Sequence, residues 1–229
     1  MRRLAFLLIC GLGGAAILIS LGVWQVQRLA WKEGILAQIE TRIAADPVAL
    51  PADLDTEVDE YLPVMAAGMI SPESLRVLVS QKQIGAGYRL IHAVQLVEGP
   101  RILVDRGFIR TSATPAVPPN GPLRLTGNLH WPDEVDGYTP TPDLDENIWF
   151  ARDVSAMAET LETAPILLVL REESFVGENV TPLPVDTGNI PNDHLQYAIT
   201  WFSLAVVWLG MTVYFIRRSP RRSGPERAA

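Results

Sequence analysis

Two long apolar runs stand near the ends of this 229-residue chain, and a different pattern fills the space between them. From Leu4 to Val23 there is no charged residue. Leu195 to Ile216 is equally uncharged and stops at Arg217-Arg218. At 1.5 Å per residue, about 22 residues reach roughly 33 Å as a helix, enough to cross the hydrocarbon core of a bilayer. A cleaved signal peptide is the competing reading of the first run. Its apolar length exceeds the usual h-region and no small-x-small cleavage site follows, which favours a retained span. Good helix formers continue from Trp24 to Glu40 with one internal Gly, so the first helix is expected to run on to about residue 40.

After Asp46-Pro47 the pattern changes. Pro51 to Glu60 holds five acids and no base and reads as solvated surface. From Tyr61 come short apolar stretches parted by turn signals at roughly ten-residue spacing. Strands are expected at Tyr61–Ile70, ending at Ser71-Pro72-Glu73, and around Leu75–Ser80. A turn follows at Gln81–Gly87. Tyr88–Val97 and Arg101–Ile109 read as a hairpin about Glu98-Gly99-Pro100, and Leu123–Trp131 and Pro165–Leu170 as further strands. Asp153 can cap a short helix over Val154–Glu162. Thr111–Pro122 and Pro132–Asn147 are loops. The pattern predicts a membrane-anchored α+β protein: two transmembrane helices flank one β-rich domain, an antiparallel sheet or small barrel with one or two short helices. The boundaries are 4–23 for the first span, 24–194 for the outer domain (core about 61–171), 195–216 for the second span and 217–229 for a basic tail.

Charge adds a direction. The first 23 residues carry two Arg and no acid; Trp24–His194 carries 12 Lys/Arg against 25 Asp/Glu, a net of −13; the remainder carries five Arg against one Glu. Glu172–His194 holds no Lys or Arg, whereas Arg217, Arg218, Arg221 and Arg222 follow the second span. Basic flanks stay on the cytoplasmic or matrix side, so both termini are expected there and the middle in the periplasm or intermembrane space. An acidic middle between basic ends is no nucleic-acid footprint.

Candidate chemistry is sparse. Cys10 is the single cysteine, which excludes an internal disulfide, paired-thiolate metal transfer and covalent c-type haem. His92, His130 and His194 have no zinc-site spacing. There is no Gly-x-Ser-x-Gly elbow for a serine nucleophile. Asp105-Arg106-Gly107 reads as an ion pair and bulge within a hairpin. His194 stands apart, at the head of the second span. On a helix, His194, Tyr197, Trp201, Trp208 and Thr212 fall within roughly 60° of one another. Two readings of this stripe stay open. Its aromatics anchor the helix at the interface and pack on the first span; or, with Trp24, they line a slot for a flat apolar ligand under an available His194 Nε2.

Several stretches together resemble the SURF1 family of cytochrome c oxidase assembly proteins. They are Gly22-Val23-Trp24-Gln25-Val26-Gln27-Arg28-Leu29-Ala30-Trp31-Lys32, Gly87-Tyr88, Ile102-Leu103-Val104-Asp105-Arg106-Gly107-Phe108-Ile109, Trp149-Phe150-Ala151-Arg152-Asp153 and His194-Leu195-Gln196-Tyr197-Ala198-Ile199-Thr200-Trp201-Phe202. The resemblance implies a two-pass inner-membrane protein, not an enzyme, that helps mature the large haem-copper subunit I of the oxidase. It implies a part in handling haem a, and contact with the enzyme that makes it. His194 maps onto the family's suspected haem contact, with Tyr197, Trp201 and Trp24 as candidate slot residues and Arg106 and Asp105 as candidate partner contacts. Asp105 departs from the Asn frequent before Arg-Gly. With no long organelle presequence ahead of the first span, the expectation is a bacterial member. The alternative is an interaction protein that stabilises an oxidase assembly intermediate without touching haem. A membrane-tethered enzyme acting on lipid or quinone would need a convergent polar cluster that the sequence does not display.

Overall fold

Both apolar runs are helical. The computed structural model describes residues 2–81, 85–114, 121–173, 179–188 and 190–218. The elements in chain order are α1 (Arg2–Ile43), β1 (Val48–Ala49), β2 (Pro63–Gln81), β3 (Gly85–Leu96), β4 (Arg101–Arg110), β5 (Leu123–Leu129), β6 (Ile148–Trp149), α2 (Val154–Leu161), β7 (Leu167–Glu173) and α3 (His194–Arg217). They divide into two units, Met1–Ala37 with Gly188–Ala229, and Gln38–Thr187.

The first unit is a helical hairpin whose helices are both long and apolar enough to cross a membrane. On α1 the buried or half-buried positions include Gly11, Ala15, Leu18, Gly22, Gln25 and Leu29, alternating four and three residues apart. On α3, His194, Ala198, Trp201 and Ala205 keep the same spacing. That is the seam of two helices packed side by side. Small residues set the distance. A Cβ on Gly11 would stand 2.2 Å from Thr212 Cγ2, on Gly14 2.5 Å from Trp208 Nε1, and on Gly22 2.7 Å from Phe202 Cε1. Where lipid tails are as apolar as leucine, this close packing rather than the hydrophobic effect joins the helices. The other faces are apolar and open, with Ile9 and Val206 exposed by 72% and 70%. So much unburied hydrocarbon suits lipid, not water.

The second unit is built on a closed ring of strands. β2 pairs antiparallel with β3, β3 with β4, β4 parallel with β7, β7 antiparallel with β5, and β5 returns to β2. The 19-residue β2 makes closure possible. Its first part, Pro63–Gly68, pairs with β5, and Gly68–Gln81 pairs with β3. The sequence pattern breaks this strand at Ser71-Pro72-Glu73, but the chain runs through. A register shift between Ile70 and Ser74 absorbs the proline, which has no N–H for the ladder. Gly85 and Gly87 lie in β3 rather than in a turn; the rest of that expected turn, residues 82–84, lies outside the described residues. The sheet is mixed, not antiparallel throughout, because β4 and β7 run parallel. Such a pair needs a long crossover. β5, the 132–147 loop and α2 supply it.

Alternation along the strands makes two cores. Val64, Val94, Ile102, Val104, Leu125, Leu168 and Leu170 form one cluster, and Leu75, Ile91, Leu103, Trp149, Leu167 and Val169 form the other with Met157 and Leu161 of α2. Asp153 caps α2 as expected, its Oδ1 accepting from Ala156 N at 3.0 Å. The last turn of α1 is tied to this unit. Ile43 O accepts from Asn128 Nδ2 at 3.1 Å and from Arg171 Nη1 at 3.2 Å, a cation at the negative end of a helix.

Candidate functional site

His194 is the first residue of α3 and occupies the end of the helical seam. Opposite it on α1 is Gln25, the one polar side chain among the buried seam positions of that helix and 9% exposed. His194 Nδ1 and Gln25 Oε1 are 2.7 Å apart. An amide oxygen can only accept, so the bond selects the Nδ1–H tautomer and leaves the Nε2 lone pair for another partner. Anchoring one imidazole nitrogen to orient the other is how proteins prepare a histidine to bind metal. Gln25 was not singled out from the sequence. Its signal was there, a polar residue continuing the Gly11, Ala15, Leu18, Gly22 register.

The remaining stripe residues divide. Trp201 is half-buried in the seam, while Tyr197 is 55% and Trp24 53% exposed. Ala198 rather than Tyr197 takes the buried position. Trp208 packs on Gly14 and donates Nε1–H to Gly11 O at 3.0 Å. Trp208 and Thr212 therefore meet the first helix, whereas Tyr197 faces away from it. A cavity of about 180 Å³ beside the seam, lined by Leu7, Cys10, Trp208, Met211 and Phe215, lies toward the α3 end opposite His194. A donor nitrogen for haem iron is present in His194, whereas Gly22 and Ala198 close the helices where an interhelical slot would be needed. Farther along α1, the Arg28 guanidinium sits 3.7 Å from the Trp31 ring centroid, a cation–π contact at an exposed ring.

The second unit holds a charged network on its α2-covered face. Asp105 is fully buried, and its Oδ2 lies 2.6 Å from Arg89 Nη1 and 3.7 Å from Arg152 Nη1. Its Oδ1 accepts from Gly107 N at 3.0 Å. Arg152 then grips Glu134, with Nε 3.1 Å from Oε1 and Nη2 2.5 Å from Oε1. Burial alone would raise the Glu134 carboxyl, but the Arg152 hydrogen bonds and charge outweigh it and hold the group below its ordinary range. Arg106 is the bulged residue between the Leu90–Gly107 and Ile91–Asp105 pairs, and it too is completely buried. Both of these candidate contact residues are thus buried in the free chain. Their motif seats the returning chain. Gly107 at φ +111° leaves room for Thr181 O, which a Cβ would meet at 2.1 Å. Phe108 N donates to Thr181 O at 2.7 Å, and Arg89 Nη1 to Leu183 O at 3.2 Å. Arg89, Arg152 and Glu134 were not identified from the sequence; the hairpin register places Arg89 two residues from Ile91, which pairs with Asp105.

The other histidines have structural partners. His92 Nδ1 donates to Ser71 O at 3.0 Å, and burial, aided by the Arg106 charge, lowers the imidazole to about 4 against that bond. His130 Nδ1 lies 2.5 Å from Glu60 Oε1 and its ring stacks on Tyr61. Among the described residues no cluster of three or more His, Cys, Asp or Glu could hold a metal.

Comparison with known proteins agrees with the resemblance in the motifs. The SURF1 family pattern matches residues 12–206. A SURF1-like protein of Monosiga brevicollis is 29% identical over 224 residues, covering 90% of this chain and 85% of that protein. Surfeit locus protein 1 of Homo sapiens is 31% identical over 212 residues, covering 81% of this chain and 69% of the human protein. A SURF1-like protein of Drosophila melanogaster is 30% identical over 211 residues, covering 81% and 69%.

Proposed function

The chain belongs to the SURF1 family, and on that premise we propose that it assists assembly of cytochrome c oxidase by handling haem a for the large haem-copper subunit. It acts as a carrier and not as an enzyme. The observation that carries the haem part is the His194–Gln25 bond, which orients an imidazole whose Nε2 has no partner among the described residues, at the head of an apolar helix pair. Haem a is the cargo, a flat apolar molecule that must pass from one membrane protein to another without crossing water. A histidine at the end of a lipid-facing hairpin offers an iron ligand beside a hydrocarbon surface. Trp24 and Tyr197, both more than half exposed, offer ring faces along the hairpin.

The charge pattern supports an inner-membrane protein with Arg217 and Arg218 on the inner side and the strand ring outside. That unit is then available to the oxidase subunit and to the enzyme that makes haem a. Asp105 acts there from inside, by pairing with the Arg89 that donates to Leu183 O. The assembly role is tested by deletion: a strain lacking the chain should lose haem from its oxidase and recover it with the wild-type chain. Unchanged oxidase content would overturn it.

A second reading has its own observation. Small residues close the hairpin at Gly22 and Ala198, so His194–Gln25 also serves as a polar clasp between helices. On this reading the protein stabilises an assembly intermediate without binding haem.

A further inference from the structure

The end of the helical hairpin remote from His194 carries an apolar recess with cations beside it. The recess, about 180 Å³, is lined by Leu7, Cys10, Trp208, Met211 and Phe215 among others. The polar side chains in its wall are already bonded. Trp208 Nε1–H donates to Gly11 O at 3.0 Å, and Thr212 Oγ1 donates to Trp208 O at 2.8 Å. Cys10 adds a thiol, which behaves as a small apolar group. Met211 and Phe215 are 51% and 48% exposed, so the lining reaches the lipid-facing surface. Arg217 and Arg218 follow Phe215 by two and three residues, about 3–5 Å along the helix, and both are exposed. Arg218 folds back along α3. Its Nη1 donates to Tyr214 Oη at 2.5 Å, which engages one of a guanidinium's several donors. On α1, exposed Arg2 lies five residues beyond Leu7, about 8 Å. Residues 1–32 and 194–225 hold no Asp or Glu, so neither helix supplies an acid at this end.

We infer that this recess and its arginines bind one anionic phospholipid, with an acyl chain in the recess and the phosphate on Arg217 and Arg218. Each half alone selects little, since any lipid tail fits an apolar recess and any cation attracts anions. Their succession within one helical turn selects the ligand. A phospholipid carries its phosphate at the head of its own hydrocarbon, and a guanidinium fork matches phosphate oxygens. The first turn of α1 points its N–H groups toward the same end and favours the same charge. A zwitterionic lipid brings an ammonium among these arginines and gains less. A partner helix, about 10 Å across, is too thick for a recess of this volume. The site stands at the other end of the hairpin from His194 and is independent of haem handling.

The test is native mass spectrometry of the full chain in a non-ionic detergent, with dioleoyl phosphatidylglycerol and dioleoyl phosphatidylcholine as equimolar probes. The expected result is one bound phosphatidylglycerol per chain, favoured about tenfold over phosphatidylcholine, the scale of two cations at a membrane surface. The wild-type comparison needs no substitution. Arg217→Gln/Arg218→Gln should bring the two lipids to near equality. Cys10→Phe fills the recess and keeps the arginines, and should weaken phosphatidylglycerol binding about tenfold, as for the loss of a few methylene contacts. Inorganic phosphate at the lipid concentration should displace nothing, because a free anion gains no hydrocarbon contact. Equal occupancy by both lipids, uptake of phosphatidylglycerol without a plateau at one, displacement by phosphate, or an unchanged preference in Cys10→Phe would overturn the inference. A dimer mass in place of the lipid adduct would overturn it too, and would name a second copy as the occupant.

Discussion

The indole N–H of Trp208 on α3 donates to the backbone carbonyl of Gly11 on α1 at 3.0 Å, across a seam where Gly11 has no side chain to block the approach. In hydrocarbon an indole N–H without an acceptor is costly, and the carbonyl of a helix is one of few acceptors within reach. Trp208→Phe should weaken the helix pair by about 1 kcal/mol. Gly11→Val should weaken it more, since the first added carbon already falls within 2.2 Å of Thr212. Unfolding in mixed micelles of increasing sodium dodecyl sulfate content measures both. Equal stability of all three proteins would mean that this seam does not hold the hairpin.

Asp105 stands between two arginines in a fully buried position. Asp105→Leu leaves Arg89 and Arg152 facing each other without their shared carboxylate, and should cost about 3–5 kcal/mol. Asp105→Asn keeps an acceptor for Gly107 N–H and loses only the charge, so it should cost less. Urea unfolding of the three proteins checks the order, which reverses if Asp105 contributes bulk and not charge.

Gly107 and Thr181 define where the returning chain crosses β4. Gly107→Ala places a Cβ against Thr181 O in a backbone conformation that L residues rarely adopt, at a cost of about 2 kcal/mol or more. Hydrogen exchange should then quicken at the Phe108 and Thr181 amides and leave those of β3 residues Ala93 and Val94 nearly unchanged. Uniform quickening across the barrel would show global destabilisation instead.

Stability should fall on mild acidification through His92. The unfolded imidazole titrates near 6.5, whereas burial lowers the folded one to about 4. Between those values the unfolded chain binds a proton that the folded chain does not, so the contribution is complete above pH 6.5 and is lost as the pH falls toward 4. From pH 7 to pH 5 the loss is about 2 kcal/mol. His92→Gln should remove that much of the slope while other groups keep theirs; an unaltered slope would show that His92 is not the group responsible.

The helices were legible because a charge-free run of about 20 residues permits few other structures. The hairpin of β3 and β4 was legible because its turn carries Gly99-Pro100 and its partners are adjacent in sequence. β2 was read as two strands because Pro72 normally ends a ladder, and the bulge that saves it depends on β3 across the sheet. Gly87 was read as a turn residue for the same reason. It is glycine because a Cβ there would meet Ile109 O at 2.3 Å, a contact that exists only once β4 is in place. The parallel β4–β7 pair joins segments some 60 residues apart, which no local pattern encodes. His194 was visible as a histidine heading a span. Gln25, 169 residues away, became its partner only when the two seams were laid against each other.

The optical spectrum of the purified chain tests the central claim most directly. Protein co-expressed with the haem a pathway should carry a Soret band that is lost or shifted in His194→Ala. The band should weaken in Gln25→Leu, where Nδ1 loses its acceptor but the imidazole remains. Absence of any Soret band, or a band indifferent to His194→Ala, would contradict haem ligation and leave the helix clasp as the role of this pair.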